Sequence, residues 1–364
     1  MTPRLTPCTI MITAFLYAWL PFAGCGADAP EPISHPERIT VWAEFMEVED
    51  IDPWFAFAGA GGLNVNVAVK EDLHDRSFLR AVCQAAEDNG LALRLWPLLS
   101  QPDGYWANQQ NVELFVAYVQ TLRGWAAKDC PRLEGFVVDL EMPYDRAMEL
   151  EDQFSQGGSV GDLLNFLLLG IDEDRFETAR LRFTDLVEDL GARGYLVSAS
   201  TLPMIVDDAA DGDETIAKAL WTPVQGVPYD KISFQVYRTH YDAVWGQAIA
   251  DEPVSFPSGL ITSYADSIVT HFGEQGAIDL GIVGSAGVSD LPGMTDAAQL
   301  QGDLAAALAA GIPAGRIQVF SLDGLFEMED RAAWVTLPAP VAAPVDASTL
   351  EIRELFNSLD LISD

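Results

Sequence analysis

Basic residues are scarce in this chain. Twenty Lys and Arg stand against 55 Asp and Glu over 364 residues, a formal net charge of −35. Such a field repels nucleic-acid phosphates and anionic lipid headgroups, so nucleic acid is not expected as a partner and a neutral or cationic substrate is favoured. Solubility alone accounts for the same excess of acids. Histidine is scarcer still: His35, His74, His240 and His271 share no spacing, and the four cysteines form no CxxC. Zinc-like ligand spacing is therefore missing, and neither a metal nor a cofactor is expected. Few repeats and no long Pro/Ser tract interrupt a composition that is about half apolar, ample for the core of one large α/β domain or two ordinary ones.

No apolar run is long enough to read as a convincing spanning helix. IMITAFLYAWLPFAGC, residues 10–25, is too short and too close to the start. It reads as an export signal covering 1–24, and a Pro-rich tether, 25–38, follows it. Ala23-Gly24 directly before Cys25 resembles the lipobox of bacterial lipoproteins, with Phe22 where Leu is usual. That resemblance implies lipidation of Cys25 and anchoring at the cell envelope, with the membrane met through lipid alone. An ordinary secretory signal gives export without the lipid. Cys83 and Cys130 remain, and export permits a disulfide between them; their separation is not readable from sequence.

From residue 39 short β-rich runs alternate with helical patterns. The expected strands are Ile39–Phe45, Leu63–Val69, Leu91–Leu98, Gly135–Glu141, Tyr195–Leu202, Lys231–Tyr237, Ile278–Gly284 and Arg316–Leu322. Eight strands with helices between most of them predict a (β/α)8 TIM barrel over 39–335, a single domain with a C-terminal extension at 336–364. The rival, a doubly wound open sheet, would want a glycine fingerprint after its first strand. AGAGG at Ala58–Gly62 instead precedes the second strand.

In a barrel the C-terminal strand ends form the active face. Aromatics and acids crowd the residues expected there, among them Trp54, Trp96, Tyr105, Trp106 and Trp221. Rings stack on the apolar faces of sugars while carboxylates bind hydroxyls, so the expected substrate is a glycan. The candidate substrate-binding residues are Trp42, Glu44, Trp96, Gln235, Arg238, Phe320 and Asp323. An insertion after the fourth strand carries LLNFLLLG, residues 163–170, read by default as packing against the barrel, with a lid or a membrane contact as alternatives.

Within GFVVDLEMP, Gly135–Pro143, two acids end a strand that is otherwise apolar. Asp139 and Glu141 lie two apart, hence on one face and about 6 to 7 Å from each other along the strand. Like charges so placed disturb each other's ionisation, and one can stay protonated near neutral pH, as glycoside cleavage requires. Glu141, nearer the mouth, is the candidate general acid, and Asp139 would tune it. A salt bridge to a buried Arg such as Arg94 is the structural alternative. The seventh strand ends without an acid, which favours a route in which the substrate's own 2-acetamido oxygen is the nucleophile.

EGFVVDLE, Glu134–Glu141, resembles the fourth-strand DGxDxDxE of the chitinase-type glycoside hydrolases, family 18. Gly135, Asp139 and Glu141 match; Glu134 and Val137 replace its first two acids. LVSAS at Leu196–Ser200, FQVY at Phe234–Tyr237 and VFSLDG at Val319–Gly324 resemble its fifth, sixth and last strands. The resemblance implies Glu141 as proton donor, Asp139 positioning an acetamido group and Tyr237 supporting it, on an N-acetylhexosamine glycan. The third-strand SxGG is absent, Arg238 stands where the family has Asp, and Phe320 where it has Trp. Those departures leave two alternatives: a barrel that binds glycans without cleaving them, and a glycosidase of another family pairing Glu141 with Glu44, Asp323 or Glu327.

Overall fold

The structure, a computed structural model, describes residues 30–155, 160–245, 255–285 and 293–357. Residues 1–24, read from sequence as an export signal, and Cys25 lie outside the described residues.

Eight parallel strands close into a barrel in simple chain order: β1 (Thr40–Ala43), β2 (Asn64–Lys70), β3 (Leu93–Leu98), β4 (Gly135–Leu140), β5 (Leu196–Thr201), β6 (Lys231–Val236), β7 (Gly276–Gly281) and β8 (Ile317–Phe320). β8 returns to pair with β1 through Val41↔Val319. This is the (β/α)8 barrel, and the open-sheet rival is excluded by closure. Seven of the eight strands lie within the runs expected from sequence, give or take one residue; β7 begins two residues earlier, at Gly276.

Alternation along each strand builds two cores. One set of side chains, including Val41, Val65, Val67, Leu95, Val138, Phe234 and Val319, packs outward with the helices. The other set, Trp42, Ala68, Trp96, Leu98, Val137 and Phe320, packs inside the barrel. Strands buried on both faces cannot show the apolar–polar alternation of a half-exposed sheet, which is why they read as apolar runs. At Gly135 the backbones of β4 and β5 come too close for a side chain, since a Cβ there would sit 1.9 Å from the carbonyl oxygen of Leu196.

Between the strands run α1 (Ile51–Ala60), α2 (Arg76–Asp88), α3 (Val112–Asp129), α4 (Tyr144–Ser155), α5 (Val160–Leu168), α6 (Glu173–Gly191), α7 (Ile205–Asp211) and α8 (Thr215–Leu220), and further helices follow β6 to β8. Asp75 caps α2 by accepting from the backbone N–H groups of Ser77 and Phe78. Cys83 of α2 and Cys130 beyond α3 are disulfide-bonded, with Cα atoms 5.3 Å apart.

Residues assigned from sequence to a tether and to an extension both join the barrel. Ile33 N–H donates to the Arg132 carbonyl, and Asn64 Nδ2 donates to that of His35 at 2.8 Å. At the other end the helix Ala347–Asn357 places Arg353 against Asp207 of α7, burying both charges. Residues Glu31–Asp364 form one compact unit.

Candidate active site

β4 delivers its two acids to the centre of the barrel mouth. Asp139 is 3% exposed, and Glu141, one residue past the strand end, is half-buried. Gln235, at the mouth end of β6, holds both: its Nε2 donates to Asp139 Oδ1 at 2.9 Å and to Glu141 Oε1 at 2.8 Å. Among the described residues no guanidinium pairs with either acid, and Arg94 is drawn instead to Glu134 at 2.8 Å near the other end of the strands. The salt-bridge alternative is thereby removed.

Burial is the main force on both carboxyls and raises both. Asp139 is pushed well above the ordinary carboxyl range, first by loss of water, then by the charges of Glu141, Glu44 and Asp279. Glu141 is pushed up to about 7 by burial, against hydrogen bonds from Gln235 and Asp139 that favour its charged form. The two titrate as a pair. The hydrogen bond between them raises Asp139 and lowers Glu141, so a shared proton is favoured on the deeper acid.

Two further acids flank them. Glu44 follows β1 and is buried at the cavity wall: Tyr105 Oη donates to its Oε1 at 2.6 Å, and Lys70 Nζ lies 3.9 Å from that oxygen. Burial raises Glu44 to about 7, with Lys70 and Tyr105 opposing. Asp279 of β7 lies deeper, accepting from Ser200 Oγ at 2.8 Å and from Ser233 Oγ. Burial raises it to about 6, with both serines opposing. Gln235 Nε2 also donates to Ser200 Oγ at 3.3 Å, so a polar chain links the mouth to the barrel interior.

Aromatic rings wall the mouth. Trp42 meets Trp96 edge-on at 4.8 Å, Phe320 lies 6.4 Å from Trp96, and Tyr237 lies 5.7 Å from Phe320. Trp106 and Tyr144, which follow β3 and β4, meet at 5.8 Å and pack with the same group. A cavity of about 320 Å³ opens among them, within the size range of small-molecule sites.

Of the residues singled out from sequence, Trp42, Glu44, Trp96, Asp139, Glu141, Gln235, Tyr237 and Phe320 line this one cavity. Arg238 and Asp323 do not, and their assignment as substrate-binding residues is corrected. Strand alternation ends at Tyr237, and a helical turn at Arg238–His240 swings the guanidinium outward. There its Nε donates to Asp303 at 3.1 Å and its Nη1 to the Phe256 carbonyl. Asp323 occupies the first turn of the helix Leu322–Glu327 and accepts the backbone N–H groups of Glu44 and Phe45, at 3.1 and 2.8 Å. It holds the loop that carries Glu44. Glu327 likewise accepts from Ser285, outside the cavity. In the LLNFLLLG insertion, Leu167 is buried and reaches the cavity, while Leu169 is exposed.

Sequence reasoning missed Asp279, Lys70 and the pairing of Tyr105 with Glu44. Asp279 carried a readable signal: a lone acid inside an apolar strand, in register with Gln235. Among the described residues no group of three or more His, Cys, Asp or Glu could hold a metal ion, and no helix is long and apolar enough to cross a membrane.

No family model and no curated protein matches the chain. Solved structures resemble it at low identity. The PgaB (BpsB) glycoside hydrolase domain from Bordetella bronchiseptica gives a TM-score of 0.49 at 11% identity, covering 83% of this chain and 99% of that one. The family 1 β-glucosidase from Thermotoga maritima gives 0.48 at 11%, covering 90% and 99%. A D-allulose 3-epimerase from Methylomonas sp. gives 0.44 at 10%, covering 90% and 98%. Glycoside hydrolase barrels of several families are thus among the structures it resembles, beside barrels of other chemistry. At such scores and identities these likenesses carry nothing about activity.

Proposed function

We propose that the barrel mouth hydrolyses a glycosidic bond in an N-acetylhexosamine-containing glycan, with Glu141 as general acid. The observation that carries this reading is a carboxyl held near neutral pH by burial, paired with a second acid and set among aromatic walls. A general acid works best when its pKa lies near the working pH. Glu141 would pass its proton to the departing glycosidic oxygen as the bond to the anomeric carbon breaks. The acetamido oxygen would close onto that carbon, with Asp139 and the Tyr237 phenol holding the acetamido group. Water then opens the ring intermediate and returns a proton to Glu141.

One observation favours a second reading. Glu44 lines the same cavity, close enough for its charge to act on Asp139, and offers a carboxylate in the role of nucleophile or base. Matched glycosides with and without the 2-acetamido group separate the two. Hydrolysis restricted to acetamido substrates supports the first, and equal rates on both support Glu44. Binding of chito-oligosaccharides with no product would mean a glycan-binding barrel and refute both.

We further read the protein as exported and lipid-anchored at Cys25, which the Cys83–Cys130 disulfide supports, since such bonds persist in oxidising compartments. Metabolic labelling with a fatty acid tests this: label lost in Cys25→Ser supports it, and no label in the wild type refutes it.

A further inference from the structure

The cavity has two unlike halves. Over β1, β3 and β8 it presents Trp42, Glu44, Trp96 and Phe320, a surface fit for a sugar ring. Beyond Glu141, over the ends of β4 and β5, it runs on between α4, α5 and α8. There the walls are Met148, Leu167, Met204, Ile216 and Leu220, with Phe356 arriving from the C-terminal helix. All six are at least half-buried, and Leu167, Met204, Ile216, Leu220 and Phe356 are nearly inaccessible.

Sugar hydroxyls placed among these side chains would lose water without gaining partners, at a heavy cost. Hydrocarbon would gain. We infer that this annex binds the hydrocarbon portion of an amphiphilic substrate, a glycolipid-type molecule whose sugar lies over β1 and β8 and whose leaving group carries the chain past Glu141. The inference rests on the glycosidase reading for the orientation of the sugar, and it deepens that reading by naming the substrate class. Glu141 stands at the junction, where the glycosidic oxygen of such a molecule would lie. The insertion after β4 and the C-terminal helix, neither needed to close the barrel, then share one purpose: they wall the annex.

Alkyl β-N-acetylglucosaminides from methyl to octyl, below their micelle concentrations, test it on the full chain. Both the dissociation constant by calorimetry and the turnover by product release are read. Each buried methylene should tighten binding about fourfold until the annex is filled. In Met148→Asp, on the half-buried rim where folding is least at risk, that dependence should flatten while the methyl glycoside binds as before. Affinity independent of chain length in the wild type would overturn the annex, whether or not turnover is seen. Chain-length dependence that Met148→Asp and Ile216→Trp both leave intact would also overturn it, since the chain would then bind elsewhere. Rising affinity without product would sustain the annex and refute the glycosidase reading instead.

Discussion

Replacing Gln235 with Leu removes the one amide that donates to both acids, while nearly preserving side-chain size. Its bond to Glu141, 2.8 Å long, favours the charged carboxylate; without it the neutral acid gains and the pKa of Glu141 rises. A hydrogen bond to a charged group contributes about 1.5 to 3 kcal/mol, and 1.36 kcal/mol corresponds to one pKa unit. The same amide also serves Asp139 and Ser200, so the lower figure applies, a rise of about one unit. Activity through a protonated Glu141 falls as pH rises through its pKa, so the basic limb of kcat/KM should move from near 7 to near 8. Relative to the acidic plateau, the activity remaining at pH 8 should then rise about fivefold. Normalising each profile to its own plateau removes any loss of substrate binding. A basic limb that stays in place, or moves down, refutes the arrangement of amide and acids described here.

Other consequences concern stability and assembly. Glu44, Glu141 and Asp279 have folded pKa values raised to about 7, 7 and 6 from 4.5, 4.5 and 3.8, so the folded state binds more protons than the unfolded one between those limits. Stability should therefore fall as pH rises from 5 to 8. Melting curves in high salt, which screens the net charge, check this, and a Tm that climbs over that range contradicts it. Arg353→Ala leaves Asp207 buried without its partner and should cost about 3 to 5 kcal/mol in denaturant unfolding; a loss below 1 kcal/mol would mean the C-terminal helix is not docked as described. Removing the Cys83–Cys130 bond, which closes a 47-residue separation, should cost about 4 kcal/mol by loop entropy. An unchanged unfolding midpoint after reduction would show that the bond does not form in solution.

The barrel was legible because buried parallel strands leave short β-rich, largely apolar runs between helical patterns, and nothing in residues 39–335 competes with that rhythm. The acid pair stood out for the same reason: Asp139 interrupts a run that burial would otherwise keep apolar. Reading failed where the strand period ended. Arg238 and Asp323 follow strand ends by two and three residues, and helical turns, not strand alternation, aim their side chains. Glu44 was found as an acid at a strand end, but its partners Tyr105 and Lys70 come from other strand–loop units and have no sequence spacing to announce them. Phe356 reaches the cavity only through the docking of a distant helix, which Arg353 and Asp207 secure from 146 residues apart.

The most direct test of the central claim is the turnover of Glu141→Gln, a change that keeps the shape and the bond from Gln235 while removing the proton. Loss of a general acid should lower kcat by about 10²- to 10⁴-fold on a glycoside with an alkyl leaving group. On a nitrophenyl glycoside, whose leaving group needs little protonation, the loss should be far smaller. Equal turnover by mutant and wild type on the alkyl glycoside, with the fold intact by circular dichroism, contradicts the claim.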